Sequence, residues 1–147
     1  MKILSVYPYL YASSSALLID GSIVAAASEE RFNREKLSQK FPIMSAEWCL
    51  NNANLNWEDL DMIAVPWNPM LNINHVSSRW VENMQWRGQL LSHVPGQIMR
   101  AMDGPVSNEM EIKFNKTKIK FFNHHDCHAA NAFYLSPFEE TDILTID

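Results

Sequence analysis

Hydrophobic and polar positions divide this chain into short strands and amphipathic helices. Residues 2–6 (Lys2-Ile3-Leu4-Ser5-Val6) predict a first strand. Two apolar runs, 14–19 and 22–27, flank Asp20-Gly21, a dipeptide that favours a tight type I′ hairpin turn. Phe41-Pro42 opens a helix on which Ile43, Ala46, Leu50 and Ala53 form one stripe, and the Asn-rich exit at Asn51, Asn52 and Asn54 closes it. Residues 61–65 predict a fourth strand stopped by Pro66, and a loop follows over 67–74. Val76, Trp80, Met84 and Leu91 then keep a helical period, read as core packing, until Pro95-Gly96 breaks it. Residues 101–116 are polar and irregular.

The last quarter predicts strand, helix, strand. Lysines and large apolar residues alternate over 118–122. Asn123 stands where a helix N-cap belongs, with Asp126 three residues on, close to a capping box. Helix formers continue to Tyr134, and Ser136-Pro137 ends the run. Residues 142–147 predict a final apolar strand closed by Asp147.

Composition narrows the class. A chain of 147 residues with 47% hydrophobic content suits one soluble domain or a piece of one. A net charge of -5, with no Lys/Arg-rich run, argues against a nucleic-acid surface. Cys49 and Cys127 make no disulfide framework, and no apolar run reaches membrane-spanning length, so a cytoplasmic protein is expected. Strands followed by helix–strand alternation argue the α/β class.

The candidate chemistry lies in the last helix. His124 and His128 are four residues apart and project from one helix face, a common way to present two imidazoles to a transition metal. Asp147 ends the following strand at its carboxyl end, where ligands gather in open α/β sheets. Two histidines and a carboxylate would then converge; the alternative left by the spacing is that one histidine caps or packs while the other is solvated. Such a set suits zinc or manganese. Cys127 is expected to be a small buried residue turned toward the sheet, the alternatives being a third ligand or an imidazole-activated thiol. His125 and Asp126 are expected as capping groups or as partners of the ligands. The mixed-charge run 29–40 predicts a solvated face.

Two blocks of residues carry a resemblance. One is His124-His125-x-x-His128-Ala129-Ala130-x-Ala132-Phe133-Tyr134-x-Ser136-Pro137-Phe138-Glu139-Glu140, followed by Leu144-Thr145-Ile146-Asp147. The other runs from Ala16 to Ala27 and continues through Glu29-Glu30-Arg31-Phe32, Arg34, Lys36 and Phe41-Pro42. Together they resemble the O-carbamoyltransferases of the nodulation-factor and tobramycin type. The resemblance implies an actin-like (ribonuclease H-like) half domain: a mixed sheet with an N-terminal antiparallel hairpin and flanking helices. It implies transfer of a carbamoyl group from carbamoyl phosphate, with ATP and by way of carbamoyl-adenylate, to a hydroxyl of a saccharide or other small molecule.

By the same resemblance iron sits between His124, His128 and Asp147, and the charged loop borders the transfer site, so that Arg31, Arg34 and Lys36 meet the anionic donor. Tyr11 and Ala12 stand where the family carries a His-Asp pair, and Tyr11 keeps a hydrogen-bond donor for substrate or donor. Relatives in the family are several times longer. The chain is accordingly expected to be the N-terminal part of the enzyme, inactive alone without its partner domains and able to self-associate through an uncovered apolar face. An actin-like sugar kinase or ATPase fragment is the alternative, and it lacks a glycine-rich phosphate hairpin. A fragment that binds metal without chemistry is a further one.

Overall fold

The computed structural model describes residues 1–8, 12–68, 93–98 and 118–146. Five strands form one sheet: β1 (Lys2–Tyr7), β2 (Ser14–Ile19), β3 (Ser22–Ser28), β4 (Met62–Val65) and β5 (Lys118–Phe121), in the order β3-β2-β1-β4-β5. β2 runs antiparallel to both of its neighbours, whereas β1, β4 and β5 are parallel. A mixed sheet with an N-terminal antiparallel hairpin and flanking helices is the α/β arrangement expected from the sequence. The turn between β2 and β3 has positive φ at both central residues, Asp20 (50°) and Gly21 (84°), as a type I′ turn requires. Asp20 accepts from the chain's terminal ammonium, which holds its carboxyl below the usual range.

Alternation along the strands gives the sheet two unlike faces. One carries Leu4, Val6, Leu17, Ile63 and Val65, all shielded from solvent. Helix α2 (Ile43–Asn52) packs on this face across β2 and β3, burying Ala46, Cys49 and Leu50, with Ile43 and Ala53 at the rim. Val94 and Ile98, from a helical stretch at 93–98, join the same core. The expected stripe on α2 is the one observed. Residues 69–92, which include the expected helix through Trp80 and Met84, lie outside the described residues, as do 99–117.

The start of α2 corrects the sequence reading of the charged run. Pro42 is its N-cap and supplies no side-chain bond. Its first four amides are nevertheless all paired. The Ile43 N–H donates to the Phe41 carbonyl and the Ala46 N–H to the Pro42 carbonyl. Those of Met44 (3.1 Å) and Ser45 (2.8 Å) donate to the two carboxylate oxygens of Glu29. Glu29 is thus a buried cap, 2% exposed, and not part of a solvated face. Behind it, the short helix α1 (Glu30–Asn33) ends at Arg34, whose φ of 61° is left-handed. Glu30 accepts from the Leu37 N–H (2.8 Å), and the Asn33 amide donates to the Ser38 hydroxyl (2.8 Å), so residues 34–38 form a bonded loop.

Helix α3 (His124–Tyr134) follows β5 directly. Asn123 is its N-cap and accepts from the His125 N–H at 3.3 Å. Asp126 is exposed and makes no hydrogen bond among the described residues, so the reciprocal half of the expected capping box is not made. The strand expected over 142–147 is not formed over 142–146. That stretch has no regular structure and no ladder partner among the described strands, and Leu144 (83%) and Ile146 (84%) face solvent. Apolar alternation specifies a strand only where a neighbouring strand offers its backbone, and none of the described strands does so here.

Candidate functional site

The carboxyl ends of the parallel strands gather the chain's candidate residues. At the end of β4 stand Pro66 and Trp67; at the end of β5 the chain turns at Phe122, whose N–H donates to the Val65 carbonyl (2.8 Å), and enters α3. This places His124 beside the exit of β4. Its Nδ1 lies 3.2 Å from the Pro66 carbonyl oxygen. Its ring stacks on the Trp67 indole, with centroids 3.9 Å apart and planes 11° from parallel. One turn on, His128 meets it edge to face, and the two Nε2 atoms are 2.9 Å apart.

Elementary donor counting assigns the protons. A carbonyl oxygen can only accept, so the Nδ1 of His124 carries the hydrogen and its Nε2 keeps a lone pair. That lone pair points at the Nε2 of His128, which donates to it when nothing lies between them. Whether the pair fits an ion is a matter of spacing. Two nitrogens bound at about 2.0–2.1 Å to one metal lie roughly 2.9 Å apart at right-angled positions and about 3.4 Å apart at tetrahedral ones. The observed separation equals the first value, so the spacing suits one metal once each ring turns its lone pair off the N···N line toward a shared point. Asp147, the expected carboxylate ligand, lies outside the described residues, and no group of three metal-ligating side chains gathers among those described.

The neighbours expected to support the ligands separate. His125 is exposed and turns away, its Nδ1 3.1 Å from the Thr145 hydroxyl, which ties the segment after α3 back to the helix. Cys127 is half-buried and free; burial first, and then the Asp126 carboxylate, push its thiol up, so it stays protonated near neutrality. A raised thiol is a poor nucleophile, which agrees with a packing role.

The residues expected to face the donor lie along the other end of the same edge. Arg31 lines an open cleft of 480 Å³ with Ser5, Tyr7, Ser14 and Ser28, on the sheet face opposite α2. Arg34 and Lys36 are exposed on the adjoining loop and do not line that cleft. The loop is fixed to the start of β2: the Ser13 N–H donates to the Ser38 carbonyl (2.8 Å) and the Glu29 N–H to the Ser13 carbonyl (2.8 Å). The Ser13 hydroxyl is buried and finds no partner among the described residues. Nothing in the sequence flagged it. Ala12, beside it, has a left-handed φ of 49°, and Tyr11 lies outside the described residues.

Arg31 follows β3 and His124 follows β5, the two outer strands of the sheet. Four strand spacings separate them, about 19 Å. No single small group touches both; a ligand that did would have to be extended, on the scale of a nucleotide.

Comparison with known proteins adds the family. Residues 2–147 match the family described as carbamoyltransferase N-terminus. Nodulation protein NolNO of Sinorhizobium fredii is 31% identical over 142 residues, covering 95% of this chain and 20% of that protein. An uncharacterized protein of Synechocystis is 29% identical over 163 residues, covering 99% of this chain and 25% of its own. The chain therefore spans a fifth to a quarter of the length of these relatives. Among solved structures, YeaZ from Pseudomonas aeruginosa aligns over 91% of this chain and 49% of its own, at 13% identity and a TM-score of 0.47.

Proposed function

Since this chain belongs to the carbamoyltransferase N-terminal family, we propose that it supplies the metal-holding and donor-facing part of an ATP-dependent O-carbamoyltransferase. On this reading carbamoyl phosphate and ATP yield carbamoyl-adenylate, and the carbamoyl group passes to a hydroxyl of a saccharide or other small molecule. The enzyme works in the cytoplasm and has no nucleic-acid or membrane partner.

His124 and His128 hold a divalent metal through their Nε2 atoms, with Asp147 as the third ligand; iron, zinc and manganese all suit that set. A bound ion of this kind polarises phosphoryl or carbonyl oxygens and stabilises negative charge on them. The remaining work falls to the chain's own groups. The Pro66 carbonyl accepts from the Nδ1–H of His124, which in the neutral ring leaves Nε2 as the nitrogen with the lone pair. The Arg31 guanidinium, at the mouth of a hydroxyl-lined cleft, meets the donor's phosphate, and Arg34 and Lys36 add positive charge beside it. Tyr11 is a further hydrogen-bond donor for the carbamoyl donor or the acceptor substrate.

The observation that carries the reading is the 2.9 Å approach of the two Nε2 atoms at the carboxyl edge of the sheet, in a chain of this family. Calorimetry with a hydrolysis-resistant analogue of carbamoyl-adenylate tests it. The metal-loaded protein is expected to bind the analogue more tightly than AMP, and both Arg31→Ala and His124→Ala to weaken that preference. Equal affinity for the analogue and AMP would contradict it.

A further inference from the structure

The spacing of His124 and His128 on α3 brings the two rings together but leaves each free to rotate about its side-chain bonds and to carry its proton on either nitrogen. What removes that freedom at His124 comes from another element. The exit of β4 supplies a carbonyl acceptor at 3.2 Å from Nδ1 and an indole lying flat on the ring at a centroid distance of 3.9 Å. The acceptor lies near the ring's edge and the indole covers its face, so they constrain different motions. A hydrogen bond alone lets a ring tilt about the bond axis. A stack of 11° interplanar angle opposes that tilt, and rotation of the ring by half a turn would set the Cδ2–H, in place of the Nδ1–H, against the carbonyl. Trp67 is itself partly buried and packed against the hydrophobic core, so the ring is braced on the core.

We propose that Trp67 is a positioning residue which, with the Pro66 carbonyl, locks His124 in the Nδ1–H tautomer and aims its Nε2 lone pair at His128. In metalloproteins the group that accepts a ligand histidine's second N–H sets its tautomer and raises its basicity, and loss of such a partner typically costs about 10–100-fold in affinity. Here the stacked indole does the orienting half of that task. The consequence for metal binding rests on the reading of the preceding subsection; the tautomer lock does not.

Long-range proton–nitrogen correlation spectra of the imidazoles, on wild type, Trp67→Leu and Trp67→Phe, test this. Wild type is expected to show His124 with a protonated Nδ1 and an unprotonated Nε2. Trp67→Leu is expected to show exchange with the Nε2–H form, and Trp67→Phe, which restores an aromatic face, to return to the wild-type pattern. Chelator competition for zinc is expected to weaken about 10–100-fold in Trp67→Leu and to stay near wild type in Trp67→Phe. A single, unchanged His124 tautomer in a folded Trp67→Leu protein overturns the proposal, as does zinc affinity equal to that of wild type. If wild type takes up no zinc, the metal reading fails and the tautomer spectra alone decide. Should Trp67→Leu not fold, the stack is read in the unaltered protein: His124 ring protons shifted upfield by the indole support it, and ordinary shifts overturn it.

Discussion

Glu29 and His128 both belong to the residue blocks that mark the family, and the fold treats them in opposite ways. Glu29 is 2% exposed, with each carboxylate oxygen bonded to an amide of α2. Its neighbours follow suit: Ser13, Ser15, Ser38 and Ser45 are buried, and the loop behind α1 is closed by side-chain bonds. His128 is exposed, on a helix that buries none of its residues, and among the described residues its ring bonds only to that of His124. Tyr134 (80% exposed) and the stretch after it point into solvent. The first block is accounted for by its own contacts, which hold β1 to β3 and α2 in one piece. In the second block only His124 has a packing partner in β4's exit, and what His128 is for is the question that the proposed metal site answers.

That contrast is open to attack from its strongest side first. Glu29→Ala would leave the Met44 and Ser45 amides at the buried start of α2 without acceptors, and is expected to destabilise the fold by about 2–4 kcal/mol in urea unfolding. Glu29→Gln, which keeps one acceptor oxygen, should recover part of this. A loss below about 0.5 kcal/mol for Glu29→Ala would mean that the cap is not structural. On the exposed side, Tyr134→Ser is expected to change stability by no more than about 0.5 kcal/mol, because it removes no buried contact. A larger loss in the same urea series would erase the contrast between the two regions.

The cysteines sharpen the comparison at intermediate scale. Burial raises both thiols above the ordinary value, and at Cys127 the Asp126 carboxylate adds to it. A raised folded-state value means that the thiol contributes stability which is present below the unfolded value, near 8.5, and is lost as pH rises through the folded one. Unfolding midpoints should therefore fall on the alkaline side of that value. Cys127, half-buried, should alkylate slowly at pH 7–8 and faster above, with Cys49 lagging throughout. Rapid alkylation of Cys127 at pH 7 would point to a thiol activated by imidazole. The smallest expected effect is at Asp20, whose carboxyl is held low by the terminal ammonium. A lowered carboxylate stabilises above its unfolded value and loses that contribution as pH falls, so Asp20→Asn should slightly flatten the acid limb of a melting-temperature profile. An unaltered limb would show that this exposed pair contributes nothing measurable.

The same two regions show why some of the fold was legible in the sequence. Asp20-Gly21 and the stripe Ile43, Ala46, Leu50 and Ala53 are local patterns, and local geometry decides them. Glu29 was hidden because a charged run carries no sign of which member turns inward; its partners lie 15 and 16 residues away. The apolar alternation at the end of the chain named a strand without naming a neighbour to pair with. At the candidate site the sequence supplied the i, i+4 histidines, since helical spacing alone brings them together. It gave no sign of Pro66 and Trp67, because a contact 58 residues apart is made by the parallel pairing of β4 with β5 and by no feature of either segment.

The central claim is that His124 and His128 are together to hold an ion, and metal uptake tests it most directly. Cobalt or zinc titrated into wild type, His124→Ala and His128→Ala, with chelator competition for affinity, is expected to show one tight site in wild type. Each substitution should weaken that site roughly 100-fold while the far-ultraviolet spectrum stays unchanged. Equal stoichiometry and affinity in all three proteins would contradict the claim and return the pair to a helix-surface hydrogen bond.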